Sequence, residues 1–213
     1  MELLHSQFVI SFLLSTQNFL DQNAAILNKC PFPLFKAKVS DIERSGSLIA
    51  NNSAIAVAKI PENKPLVPTK SEYILALDEV RDPGNLGAII RIADWYGITK
   101  LLLSAGCADP YNPKTIIASM GSFTRVRFYQ TNLSEYLMNS NCQKIGAAMN
   151  GQNIHKLKIS APAIIVLGNE SKGLSKTVLN SIDEVVSIPR FGKADSLNVA
   201  MAAAVICDNL RRS

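Results

Sequence analysis

Ile164-Ile165-Val166-Leu167-Gly168-Asn169-Glu170-Ser171-Lys172-Gly173-Leu174-Ser175 is the stretch whose reading decides the fold of this chain. An apolar, β-branched run stops at a polar turn bounded by glycines, and a helix start follows at Ser175. The same order returns in the segment that follows. Val185-Val186-Ser187-Ile188-Pro189-Arg190-Phe191-Gly192-Lys193 runs through a polar turn into Ser196-Leu197-Asn198-Val199-Ala200-Met201-Ala202. Twice an apolar strand empties into a loop of Gly, Asn, Glu and Ser. In parallel α/β sheets ligands collect at the carboxyl ends of the strands, so these two loops are where a site is expected.

Working outward, residues 73–213 alternate strand and helix signals. Strands are expected over 74–77, 100–103, 126–129, 145–148, 164–167 and 184–187. Helices are expected over 84–96, 113–120, 133–138, 175–181 and 196–211. Six strands alternating with helices predict an α/β fold with a mainly parallel sheet covered on both faces. Upstream, Pro61-Glu62-Asn63-Lys64-Pro65-Leu66-Val67-Pro68 places three prolines in eight residues, which reads as an extended linker. The division is therefore a small α+β domain over 1–60, a linker over 61–72 and the main domain over 73–213. In the small domain, residues 54–60 read as a strand, 32–37 as a second strand and 40–45 as a helical turn.

The chain has 213 residues and carries a net charge of +5, spread over both parts, which is compatible with a polyanionic partner. Cys30, Cys107, Cys142 and Cys207 show no CxxC spacing, so reduced thiols are expected and a zinc site or disulfide framework is not. The apolar start, Phe8 to Leu14, lacks a basic n-region and a small-residue cleavage site, and no run is long enough for a membrane span. A cytoplasmic protein without a membrane partner is expected.

Three constellations bear on chemistry. In Asp82-Pro83-Gly84-Asn85-Leu86-Gly87-Ala88-Ile89-Ile90-Arg91, Gly84, Gly87 and Arg91 fall on one helix face. Two residues without side chains beside a guanidinium make a niche for a phosphate or sugar; the alternative is a turn followed by a solvated Arg. The loop Gly168 to Gly173 has G-x-x-x-x-G spacing, but Leu174 stands where a phosphate-binding loop needs Lys, which disfavours a nucleoside triphosphatase. Glu170 in that turn reads equally as a helix-terminus carboxylate. Ser196 and Asn198 precede an Ala-rich helix and are also ordinary capping types. With only His5 and His155 in the chain, a Ser-His-Asp hydrolase has little support.

The order and spacing of these signals resemble the three motifs of the SpoU (TrmH-type) RNA ribose 2′-O-methyltransferases of the SPOUT superfamily. The matching residues are Asn85-x-Gly87-x-x-x-Arg91, then Leu167-Gly168-Asn169-Glu170-x-x-Gly173-Leu174, then Ile188-Pro189-x-x-Gly192-x-x-x-Ser196-Leu197-Asn198-Val199. Ala118-Ser119-Met120-Gly121-Ser122 is similar to a linking Ser-x-Gly-Ala stretch of that family, and the resemblance covers about residues 73–212.

The resemblance implies a C-terminal deep trefoil knot, a homodimer with each active site near the subunit boundary, and methyl transfer from S-adenosylmethionine to a ribose 2′-hydroxyl without metal. The catalytic set it implies is Asn85, Arg91, Glu170, Ser196 and Asn198. Asn85 and Arg91 are its catalytic candidates, and the other three organise the site. The cofactor set is Leu167, Gly168, Asn169, Gly173, Ile188, Pro189 and Leu197. The substrate implied is RNA, rRNA ahead of tRNA, because residues 1–60 resemble the small RNA-binding domain of rRNA-directed members with its first strand and helix missing. Two departures stand out: Arg190-Phe191 replaces the usual Met before Gly192, and Asp195 replaces the commoner Glu before Ser196. An RNA-binding protein that keeps this fold without catalysis is the alternative.

Overall fold

The computed structural model of the chain describes residues 1–46 and 51–212, so positions 47–50 of the expected small domain lie outside the described residues. Two compact units are formed, Met1–Glu62 and a second beginning at Asn63.

The first unit is a three-stranded sheet in the order β2-β1-β3. Its elements are β1 (Ile10–Ser15), α1 (Gln17–Gln22), α2 (Ala24–Leu27), β2 (Leu34–Lys36), α3 (Val39–Ser45) and β3 (Ala54–Ala58). β1 pairs in parallel with β2 and antiparallel with β3. Leu13, Leu27 and Ile42 form its buried centre. The central strand β1 is the apolar start of the chain, where the sequence reading assigned no element. A strand and two short helices thus precede β2, where that reading expected a strand and helix to be missing.

The second unit contains β4 (Tyr73–Leu77), α4 (Pro83–Trp95), β5 (Lys100–Leu103), α5 (Pro113–Ser119), β6 (Arg127–Gln130), α6 (Leu133–Met138), β7 (Gln143–Asn153), β8 (Ala163–Leu167), α7 (Lys176–Leu179), β9 (Glu184–Ser187) and α8 (Val199–Arg212). The six strands lie in the order β6-β5-β4-β8-β7-β9, and every pairing is parallel. Strand side chains alternate between two cores. Leu75, Leu77, Leu101, Leu103, Ile165 and Leu167 join Ile89, Ile90 and Ala93 of α4 and Ala203, Ile206 and Cys207 of α8. Ile74, Ala76, Leu102, Ile164 and Val166 join Leu133 and Leu137 of α6 and Val178 of α7. Burial on both faces explains why these strands read as unbroken apolar runs.

β7 runs longer than expected, because it continues through a register shift between Ala147 and Gln152 in which both residues face Val186. The proline-rich segment has no regular structure, yet its part from Asn63 onward is fastened to the second unit. Leu66 is buried, Tyr136 Oη donates to Leu66 O, and Lys100 Nζ donates to Val67 O and pairs with Glu72. No helix among the described residues is long and apolar enough to cross a membrane. Strand order turns back between β4 and β8: β5 and β6 extend one way, β7 and β9 the other. Leu77 and Leu167 are register partners at the ends of those two central strands, so the loops leaving them open side by side.

Candidate functional site

The loop after β4 leads into α4, whose start is fixed by Asp82. Its carboxylate accepts from Asn85 N at 2.7 Å, and Pro83 occupies the first turn, where no amide is needed. This cap holds Asn85 at the crevice. Its Nδ2 donates to Glu170 Oε1 at 2.7 Å, and its Oδ1 accepts from Asn198 Nδ2 at 2.9 Å. Asn198 Oδ1 in turn accepts from Ala200 N at 2.9 Å, so the same side chain caps α8. That amide can only donate, which fixes the orientation of Asn198 and hence of Asn85, and directs Asn85 Nδ2 to the carboxylate. One chain of hydrogen bonds therefore links the loop after β8, the N-terminus of α4 and the N-terminus of α8, bridging residues 85 and 113 positions apart in sequence. Glu170 Oε2 has no partner among the described residues, and Glu170 is half-buried.

The Gly168–Gly173 loop is braced from several sides. Asn169 N donates to Gly173 O at 3.0 Å and Gly173 N to Asn169 O at 2.9 Å. Gly173 has φ +67°, and a Cβ on Gly168 would lie 2.3 Å from the Gly173 carbonyl carbon, so glycine is required at 168 by contact and favoured at 173 by conformation. The Asn169 side chain accepts from Ser171 N and Lys172 N and donates to Glu79 O at 2.9 Å. Glu79 has φ 55°, a conformation that costs a non-glycine residue about 1–3 kcal/mol and is held only by its surroundings. Ser104 Oγ accepts from Glu79 N at 2.9 Å, and the buried Asp78 accepts from Ser175 N at 2.7 Å. Asp78, Glu79 and Ser104 went unassigned in the sequence reading. The only signal for them was the Asp-Glu pair directly after an apolar strand.

Of the five residues expected to form the catalytic set, Asn85, Glu170 and Asn198 come together. Arg91 does not join them: it is exposed on α4, and its side chain forms no hydrogen bond or ion pair with a described residue. Ser196 is likewise exposed and without a partner among the described residues. The Gly84/Gly87/Arg91 niche is a correction. Gly87 is buried, and a Cβ there would lie 2.5 Å from both Ala118 Cβ and Thr115 O of α5. Its missing side chain serves the close packing of α4 on α5, so no ligand approaches α4 at that position.

The cofactor set divides in two. Leu167 O accepts from Asp78 N, and the polar backbone groups of Asn169 and Gly173 are spent on each other. These three residues shape the loop. The backbone polar groups of Gly168, Ile188, Pro189 and Leu197 have no partner among the described residues. Unpartnered donors and acceptors on the loops after β8 and β9 suit a ligand held by main-chain contacts. Thiol chemistry at Cys107 and Cys207 is disfavoured. All four cysteines are free; burial pushes the Cys107 thiol up and that of Cys207 up to about 12, and Cys107 Sγ donates to Leu77 O.

Comparison with known proteins bears on the same segments. The model of the SpoU rRNA Methylase family matches residues 72–208. A Bacillus subtilis (strain 168) protein named 23S rRNA (guanosine(2553)-2′-O)-methyltransferase RlmP is 35% identical over 160 residues, covering 73% of this chain and 63% of that relative. The chain thus spans less than two thirds of the length of the curated relatives it matches. The solved structure of a Porphyromonas gingivalis protein assigned to the TrmH family of RNA methyltransferases has a TM-score of 0.85 at 32% identity, covering all of this chain and 86% of that one. An AdoMet-bound rRNA methyltransferase from Sinorhizobium meliloti gives 0.87 at 26% identity, covering 99% of this chain and 83% of that one. The matched segment contains all three loops joined by the Asn85–Glu170–Asn198 bridge, and the chain belongs to the SpoU rRNA Methylase family.

Proposed function

We propose that this chain is an S-adenosylmethionine-dependent RNA methyltransferase that methylates a ribose 2′-hydroxyl in rRNA. The observation that carries the reading is the Asn85–Glu170–Asn198 bridge, which holds three separate loops at the switch point of the sheet. Membership in the family, the 23S rRNA name of the Bacillus subtilis relative and the AdoMet in the Sinorhizobium meliloti structure support it. The chain's likeness to that rRNA enzyme over 99% of its length, N-terminal unit included, favours rRNA over tRNA and supports a substrate-binding role for residues 1–60.

When bound, S-adenosylmethionine would supply an electrophilic sulfonium methyl to the ribose oxygen, with sulfur keeping the electron pair of the broken bond and the hydroxyl proton passing to an acceptor such as a substrate phosphate or Glu170 Oε2. Gly168, Ile188, Pro189 and Leu197 would hold it through their open main-chain groups. Asn85 is fixed by two hydrogen bonds and orients the hydroxyl, and Glu170 Oε2 is an open acceptor beside it. Arg91 is always charged, so from the exposed side of α4 its role in this reading is limited to electrostatic stabilisation of the developing alkoxide and excludes that of the base. The C-terminal segment forms a deep trefoil knot in this reading, and the enzyme is a homodimer working in the cytoplasm. Trp95 on α4 and Met201 on the neighbouring α8, 83% and 64% exposed, are the apolar side chains that support a subunit contact there.

The test is transfer of labelled methyl from S-adenosylmethionine into separated rRNA and tRNA from cells lacking this protein, with wild type beside Asn85→Ala. Label in rRNA that the variant loses is the expected result. Label in tRNA alone reverses the substrate assignment, and calorimetry without cofactor binding removes the enzyme reading in favour of plain RNA binding.

A further inference from the structure

Phe191 is 97% exposed, the most exposed large apolar side chain among the described residues. It lies in the loop between β9 and α8, two residues after Pro189 and seven before Asn198, hence within about 25 Å of Asn198 even if the loop were fully extended. Its neighbours are cationic. Arg190 and Lys193 are exposed and form no ion pair with a described residue; Arg190 Nη1 donates to Ala194 O at 3.4 Å, and Asp195 is the one carboxylate in the loop. Lys172 on the loop after β8 and Arg91 on α4 also lack a carboxylate partner among the described residues. A single exposed apolar side chain is ordinary on a protein surface; what sets Phe191 apart is that it shares its loop with two cations that form no ion pair with a described residue. Rings that bind single-stranded nucleic acid combine an open face with cations that meet the phosphates.

We infer that Phe191 stacks on a nucleobase of the RNA next to the target nucleotide, with Lys193 and Arg190 meeting the adjoining phosphates. This rests on the RNA methyltransferase reading and assigns it a substrate contact. The base must be unpaired to present its face, so the substrate is single-stranded, looped or opened at that position. Stacking on a π-face is tolerant of base identity, so Phe191 contributes affinity and register and does not choose the base.

The experiment measures methyl transfer to rRNA from cells lacking this protein, for wild type and for Phe191→Ala, Phe191→Leu and Phe191→Trp. Calorimetry with S-adenosylmethionine and sedimentation are run on each. The expected result is a KM for RNA raised about 5- to 100-fold in Ala and Leu and restored in Trp, with kcat, cofactor affinity and oligomeric state unchanged. Lys193→Ala lowers the salt slope of RNA binding by about one, whereas Phe191→Ala weakens binding without changing that slope. Leu performing as well as Phe overturns the stack in favour of plain apolar cover. A dissociated oligomer in Ala makes Phe191 a subunit contact, and a weakened cofactor makes it a lid over that site. A wild type that methylates no RNA defeats the function reading first. A wild type that methylates while Phe191→Ala matches it defeats this inference alone.

Discussion

The loops that follow β8 and β9 begin from the same kind of sequence, an apolar strand running into Gly, Asn and Ser, yet they are built in opposite ways. The first closes on itself: Asn169 and Gly173 exchange backbone hydrogen bonds, and the Asn169 carboxamide makes three more, one of them to the strained Glu79. The second has one long internal hydrogen bond, from Arg190 to Ala194, and leaves residues 190–198 exposed until Asn198 caps α8. The difference teaches where pre-organisation is placed. A loop that satisfies its own polar groups arrives at the reaction already shaped, while a loop with open groups is ordered by what it binds. Substitutions in the first should therefore cost stability and turnover together, and those in the second should cost binding.

The largest effect is expected at the residue that joins the two. Asn85→Ala removes both ends of the bridge at once, releasing Glu170 and Asn198. Methyl transfer should fall by at least about 100-fold in single-turnover assays, as expected when a positioning contact is lost. Asn85→Asp should fare no better, since it puts a carboxylate against Glu170. Activity retained in either variant breaks the comparison, because the braced loop would then reach its geometry without its partner. Next comes Gly87→Ala, which tests packing against propensity. Ala favours a helix by about 1 kcal/mol over Gly, but its Cβ meets Ala118 and Thr115 at 2.5 Å. Overpacking of about 1–3 kcal/mol should win, lowering Tm by several degrees in thermal unfolding.

How much of this could be read from the chain depended on the range of the physics involved. Strand and helix positions in the second unit are local, set by apolar runs and by caps such as Asp82 and Ser175, and they were legible. The strand β1 was not, because its apolar residues stand at the start of the chain without a flanking turn signal. At the site, Asn85, Glu170 and Asn198 were legible as members of three motifs, but their mutual hydrogen bonds depend on the switch in strand order between β4 and β8, which no local pattern encodes. Gly87 was misread for a related reason. Helical periodicity places it on a face with Arg91 but says nothing of α5, which covers it. Glu79 carries no sequence mark of its φ of 55°.

A smaller effect sharpens the contrast between the loops themselves. Asn169→Ala strips three hydrogen bonds from the braced loop and frees Glu79 O. Part of the cost is recovered by water at the exposed Ser171 and Lys172 amides, so a loss of about 1–2 kcal/mol is expected in denaturant unfolding. Phe191→Ala, in the open loop, should stay within about 0.5 kcal/mol of wild type. Equal losses in the two variants would erase the distinction between them.

The smallest effect lies away from both loops and is a matter of pH. The hydrogen bond from Lys100 holds the Glu72 carboxyl down at about 2 from an ordinary 4.5, with the Thr69 amide adding to it. A carboxyl whose folded pKa is depressed stabilises the fold above its unfolded value, and that contribution disappears as pH falls from about 4.5 towards 2. Glu72→Gln should therefore lie below wild type in stability at neutral pH, and the gap should close on acidification through that window. Lys100 is almost fully buried, whereas Glu72 keeps about a third of its side chain in water, which holds the size of the effect down. A gap independent of pH would mean that the variant acts through lost packing of the segment after Asn63, and that the ion pair is incidental to holding that segment on the sheet.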